Sequence, residues 1–194
     1  MDMPFDSEAD LSDDELLALF ARGDRLAARL LTVRLTPLAF RHAYRLLGRD
    51  AEAEDVAQEA MLRLWRMAPD WRPGTARVST WLYRVVANLC TDRLRRSGRA
   101  TPLDEAGEPV DPAPTVSDTM QDAARADALQ AALGTLPDRQ RQAVVLRHVE
   151  ELSNPEIADI MEISVEAVES LLARGKRSLT AALKPRKDEL GYSQ

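Results

Sequence analysis

The residues with the clearest chemical purpose in this chain are basic ones. From Arg174 to Lys187 there are six basic side chains and no acidic one. The first three of them close the stretch NPEIADIMEISVEAVESLLARGKRSL, which reads as two short helices joined by a turn. On the second helix Val165, Val168, Leu172 and Leu179 share one face. Glu166, Ser170, Arg174 and Arg177 share the opposite one, with Lys176 in the same basic run. The chemistry on offer is recognition: guanidinium forks take guanine edges or phosphates, and hydroxyl and carboxylate groups take other base edges. An apolar stripe would dock the helix while its polar face enters the major groove of DNA. A plain amphipathic hairpin with a solvated basic end has the same pattern, so other segments must decide.

Two further sets narrow the choice. In APDWRPGTARVSTWLYRVVANLCTDRLRRSGR, Trp71, Trp81 and Tyr83 interleave with Arg72, Arg77 and Arg84, and Arg95 and Arg96 follow. Rings beside arginines suit single-stranded DNA, whose bases stack while its backbone follows the charge. Trp81 serves equally well as core. Asn88 sits mid-helix despite poor helix propensity, either as a surface residue or to read the edge of an unpaired base. In EDVAQEAMLRLW, Val56, Ala60, Met61, Leu64 and Trp65 form one apolar face. Asp55, Gln58, Glu59 and Leu62 fall outside it. A leucine among carboxylates and an amide points to a partner helix.

Almost every segment around these sets has helical periodicity, and none shows convincing strand alternation, so the expected class is all-α. Ser12 and Glu15 make a capping box that opens the first helix after an acidic tail over 1–11. Helices are expected at 13–21, 24–34, 37–47 and 51–67, with Pro37 in the first turn of the third. Pro69, Pro73 and Gly74 mark a loop from 68 to 78, and a long helix follows over 79–96. Residues 98–119 hold four prolines and two glycines among acidic residues, the composition of a flexible linker. A second module starts near residue 120, with helices at 120–133, 137–150, 154–161 and 165–183 and a short tail over 185–194. The chain therefore reads as two small helical domains, 12–97 and 120–184.

The net charge of −6 argues against a DNA partner only until it is divided by segment. Residues 1–24 hold eight acidic side chains against one arginine, and 101–127 hold seven against Arg125. Basic residues gather at Arg84, Arg93, Arg95, Arg96 and Arg99, and again after Arg174. Phosphate attraction decays within a Debye length, so this segregation counts for more than the total. The 45% apolar content beside 30% charged residues fits a soluble globular chain, with no signal peptide and no membrane insertion expected. Cys90 lies in an apolar pattern and reads as core filler. No Cys/His cluster has metal spacing, so no metal or other cofactor is expected.

Taken in order, these segments resemble the extracytoplasmic-function (ECF) group of the sigma-70 family, the small promoter-specificity subunits of bacterial RNA polymerase. The D-x-x-Q-E core at Asp55, Gln58 and Glu59 resembles region 2.2, and STWLYRVVANLCTDRLRR resembles regions 2.3 and 2.4. LPDRQRQAVVLRHVEELSNPEIADIM with SVEAVESLLARGKRSL resembles region 4. The resemblance implies two helical domains on a tether, no catalytic residues, and a cytoplasmic role in an environmental or stress response. It implies that Asp55, Gln58, Glu59 and Leu62 meet the largest subunit of core polymerase. Trp71, Arg72, Arg77, Arg84, Asn88, Arg95 and Arg96 would act at the promoter −10 element, where a flipped base is held. Glu166, Ser170, Arg174, Lys176 and Arg177 would act at the −35 duplex, while the same module docks on the second-largest subunit. It also implies an anti-sigma partner.

The chain departs from that pattern at Asn154, where many relatives carry an aromatic residue, and at Glu169, where many carry a basic one. A glutamate repels phosphate but can accept from cytosine N4. The weight of −35 contact is therefore expected on Ser170, Arg174 and Arg177. Two other classes remain open: a stand-alone helix-turn-helix regulator, and an interaction protein that imitates a sigma factor to titrate its inhibitor. The first leaves 55–96 without a use, and the second leaves the basic recognition helix without one.

Overall fold

The computed structural model describes residues 11–72, 74, 77–97 and 117–186, and these are helical without any strand. Most of the expected linker (98–116) and the two outer tails (1–10 and 187–194) lie outside the described residues. Eight α-helices are present among those described: α1 Asp13–Ala21, α2 Arg25–Leu47, α3 Asp50–Met67, α4 Val78–Ser97, α5 Ser117–Gly134, α6 Asp138–His148, α7 Asn154–Met161 and α8 Val165–Leu183. Short 3-10 turns follow α3 (Ala68–Asp70) and α8 (Lys184–Arg186). No described helix is long and apolar enough to cross a membrane.

The chain divides into two compact units, Met1–Tyr44 with Asp50–Asp92, and Arg45–Arg49 with Arg93–Gln194. In the first, Leu16 and Leu17 of α1, Leu31 and Leu35 of α2, Val56 and Leu64 of α3, and Leu82 and Val86 of α4 are buried. His42 is buried with them, its ring meeting Tyr83 edge-on at 4.9 Å between centroids. The Ser12–Glu15 capping box forms as its spacing requires, and hydrogen bonds from Ser12 hold the Glu15 carboxyl below its usual pKa.

One expectation fails here. Residues 24–34 and 37–47 are not two helices, because α2 runs unbroken through Pro37. A proline inside a helix removes the hydrogen bond to the carbonyl four residues back, here Val33. Pro37 is exposed and Val33 is 66% exposed, so the interruption lies on the water side, where solvent can satisfy that carbonyl. The core side, carrying Leu31, Leu35 and Ala39, is continuous and keeps the helix whole.

In the second unit α8 packs on α5, α6 and α7, and α6 also packs on α7. Ala143 to Leu146 of α6, Ile157, Ala158, Ile160 and Met161 of α7, and Val168 of α8 are buried. Arginines on α6 act as carbonyl clamps. Arg141 donates to Leu133 O at 2.8 Å, Gly134 O at 3.0 Å and Leu136 O at 3.1 Å, closing the end of α5. Arg147 donates to Leu152 O at 2.8 Å in the connection to α7.

Candidate functional site

The α7–α8 pair is built by its caps. Ser153 opens α7 through a capping box with Glu156, and Pro155 sits in the first turn, where its missing N–H costs nothing. Glu162 ends α7 in the left-handed region (φ 54°, ψ 49°), which turns the chain sharply. Ser164 then caps α8, its Oγ accepting from Ala167 N at 3.2 Å. Both helices have the expected ends, and Ile157, Ala158, Ile160 and Met161 of α7 are all buried.

On α8, Val168 and Gly175 are buried, and Val165, Leu172 and Leu179 are half-buried. Glu166, Glu169, Ser170, Arg174, Lys176 and Arg177 are exposed. All five expected −35 residues therefore lie on the open side of this helix. Arg174 folds back on Ser170, with Nη2 donating to the hydroxyl at 3.0 Å and Nε to the carbonyl at 3.2 Å. The remaining N–H groups of its fork stay available to a base or phosphate. Glu166 lies in the first turn, where its own backbone N–H and then the Ser164 hydroxyl lower its carboxyl pKa. It stays ionised at neutral pH, complementing the helix dipole.

Two other surfaces lie on α3 and α4. On α3, Ala53, Val56, Ala57, Ala60, Met61 and Leu64 face the core. Asp55, Gln58 and Leu62 are exposed, Leu62 to 48%, and Glu59 is half-buried, accepting from Arg63 Nε at 2.8 Å. The expected acidic–apolar patch exists, with Arg63 as a member that sequence reading missed.

On α4, Leu82, Tyr83, Val86, Ala87, Leu89 and Cys90 are buried. Asn88, Arg95 and Arg96 are exposed, and Trp81 and Arg84 are half-buried. At 100° per residue Arg77, Trp81, Arg84, Asn88 and Arg95 fall within an arc of about 60°, so one ridge interleaves charge, ring and amide. Arg72 and Arg77 are exposed at the two ends of the preceding loop, while Trp71 is half-buried and donates its indole N–H to Asp14 Oδ1 at 3.0 Å. The loop begins with a 3-10 turn, so the regular structure reaches Asp70. Residues 73, 75 and 76, including Pro73, lie outside the described residues.

Comparison with known proteins bears on these surfaces together. The family profile of Sigma-70 region 2 matches residues 31–100, and that of Sigma-70, region 4 matches residues 126–179. The chain is 37% identical to the ECF RNA polymerase sigma factor SigM of Mycobacterium tuberculosis, over 92% of this chain and 88% of that protein. It is 36% identical to the ECF RNA polymerase sigma factor SigE of Mycolicibacterium smegmatis, over 79% of this chain but only 60% of that protein. Among solved structures it is similar to CnrH, determined in complex with the cytosolic domain of CnrY, with a TM-score of 0.65 and 27% identity, covering 89% and 97% of the two chains. With both regions present in order and a relative matched nearly end to end, the chain belongs to the sigma-70 family, in its ECF group.

Proposed function

We propose that this ECF sigma factor binds core RNA polymerase and directs it to a small set of promoters, in an environmental or stress response. The observation that carries the reading is the exposed patch of Leu62 with Asp55, Gln58 and Glu59 on α3, in a chain that also presents a recognition helix. A stand-alone regulator has no use for the first surface. We assign that patch to the largest polymerase subunit, residues 12–97 to region 2 and 120–184 to region 4, with 98–119 as tether. The matched ranges, 31–100 and 126–179, support this division.

Promoter opening is assigned to Trp71, Arg72, Arg77, Arg84, Asn88, Arg95 and Arg96. Unstacking a base costs a few kcal/mol, offset when the displaced base meets a fitted amide and flanking charge. The −35 duplex is assigned to Glu166, Ser170, Arg174, Lys176 and Arg177, with the second-largest subunit against the same module. The protein supplies no catalytic group: polymerase performs the chemistry, in the cytoplasm where it and the chromosome lie. An anti-sigma partner is part of the proposal; CnrH, to which this chain is similar, was itself solved with a second protein bound, the cytosolic domain of CnrY.

Size-exclusion chromatography with and without core polymerase tests the reading. Co-elution with core, lost on changing the α3 patch, is expected. Elution as a free dimer that ignores core and binds DNA alone would replace it with the stand-alone regulator.

A further inference from the structure

Trp71 closes the 3-10 turn after α3 with an extended backbone, φ −65° and ψ 129°. Its main-chain N–H donates to Ala68 O at 3.2 Å, and its indole N–H to Asp14 Oδ1 at 3.0 Å. Both donors are therefore committed, the second across 57 residues of sequence. The acceptor stands on a firm mount. Next to it, Asp13 pairs with Arg34 of α2 at 3.2 Å, and the same guanidinium donates to Leu11 O at 2.7 Å. At the other end of α1, Phe20 packs on Trp65 of α3 with ring centroids 4.6 Å apart. Helix α1 is thus tied to α2 and to α3, and it packs on the 3-10 turn itself. The next residue after Trp71 is Arg72, exposed at the start of the loop assigned to strand opening.

We propose that Asp14 is a positioning residue for promoter opening: by gripping the Trp71 indole it sets where Arg72 meets the displaced strand. Trp71 then acts as the anchor of that loop, and the contacts to unpaired DNA fall to Arg72, Arg77 and the α4 ridge. This rests on the assignment of the loop to the −10 element. An aspartate in the first turn of α1 would stabilise that helix from any rotamer. Its engagement with the ring of a distant tryptophan is what gives it a second task.

The test uses the full chain with core polymerase on a promoter fragment, reading permanganate reactivity of −10 thymines. Asp14→Ala should lower the open fraction about tenfold, the worth of one hydrogen bond to a charged acceptor. Core affinity and binding to duplex −35 DNA should not change. Asp14→Asn keeps an oxygen acceptor and should restore opening to within about twofold. Trp71→Phe should lose about as much as Asp14→Ala, and the two together no more than either alone. The Trp71 indole N–H resonance, assigned from its absence in Trp71→Phe, should move in Asp14→Ala and hold in Asp14→Asn. Normal opening in Asp14→Ala, equal defects in the alanine and asparagine variants, or additive losses would each overturn the proposal. Normal opening in an Arg72→Ala/Arg77→Ala double variant would instead overturn the assignment of the loop beneath it.

Discussion

Gly175 of α8 lies so close to α6 that a Cβ built on it would stand 2.5 Å from Val144 Cγ2. Gly175 sits inside a helix, where alanine has an intrinsic advantage of ~1 kcal/mol. Here packing outweighs propensity, because Val144 is 3% exposed and its β-branched side chain has little freedom to turn away. Overpacking a core costs ~1–3 kcal/mol, so Gly175→Ala should destabilise the second unit by a net amount on the order of 1 kcal/mol. Val144→Ala should reverse part of that loss, making the double variant more stable than the sum of the singles. Thermal melts of the four proteins give the coupling directly, and a stabilised Gly175→Ala would show that α8 has room to spare.

The α3 patch separates binding from folding. Leu62→Ala with Glu59→Ala removes side chains that lie off the core face, so stability should stay within about 0.5 kcal/mol of the parent for each change. Leu64 on the same helix is fully buried, and Leu64→Ala should cost ~2–5 kcal/mol. Core affinity should fall in the first variant without any change in melting. Titration of each variant against labelled core polymerase makes the check, and undiminished affinity of the double variant would remove the patch from the interface.

Asn88 is exposed between buried Ala87 and Leu89, so its amide is presented to the outside by a well-anchored helix. Asn88→Ala should leave duplex −35 binding intact and reduce open-complex formation, by ~1–3 kcal/mol, the worth of one bidentate amide–base contact. Permanganate footprints of full strength would assign Asn88 to ordinary surface.

How much of this was legible in the sequence follows the range of the forces involved. Helices α7 and α8 were readable to their ends because caps such as Ser164, seen in place in the structure, and the apolar period both act locally. The exposure of Leu62, Asn88, Arg174 and Arg177 followed from the same periodicity. What was not legible depends on distant or two-sided contacts. Pro37 signals a helix start unless one knows that its side of α2 faces water. Gly175 looks like a flaw in a helix until Val144 is placed against it. Glu162 adopts a left-handed turn with no glycine to announce it, and the grip of Asp14 on Trp71 spans 57 residues.

The recognition helix gives graded expectations. Arg174→Ala should cost ~1–3 kcal/mol and relax preference at one −35 position if its fork takes a guanine. Arg177, nearer the helix end, should act on phosphate, so Arg177→Ala should weaken all promoters alike and flatten the salt dependence. Glu169 is exposed on the same helix, and Glu169→Arg should raise affinity for every −35 sequence through added phosphate attraction. Selection from randomised −35 duplexes against each variant checks all three, and a changed consensus with Glu169→Arg would mean that the carboxylate reads a base.

The central claim is that both units serve one polymerase. Run-off transcription with purified core polymerase on genomic fragments, including the region upstream of the protein's own coding sequence, tests it most directly. Discrete transcripts that need both this protein and core, and that vanish with the Leu62→Ala/Glu59→Ala variant, are the predicted result. Specific retention of those fragments by the protein alone, with no transcript on adding core, would contradict it.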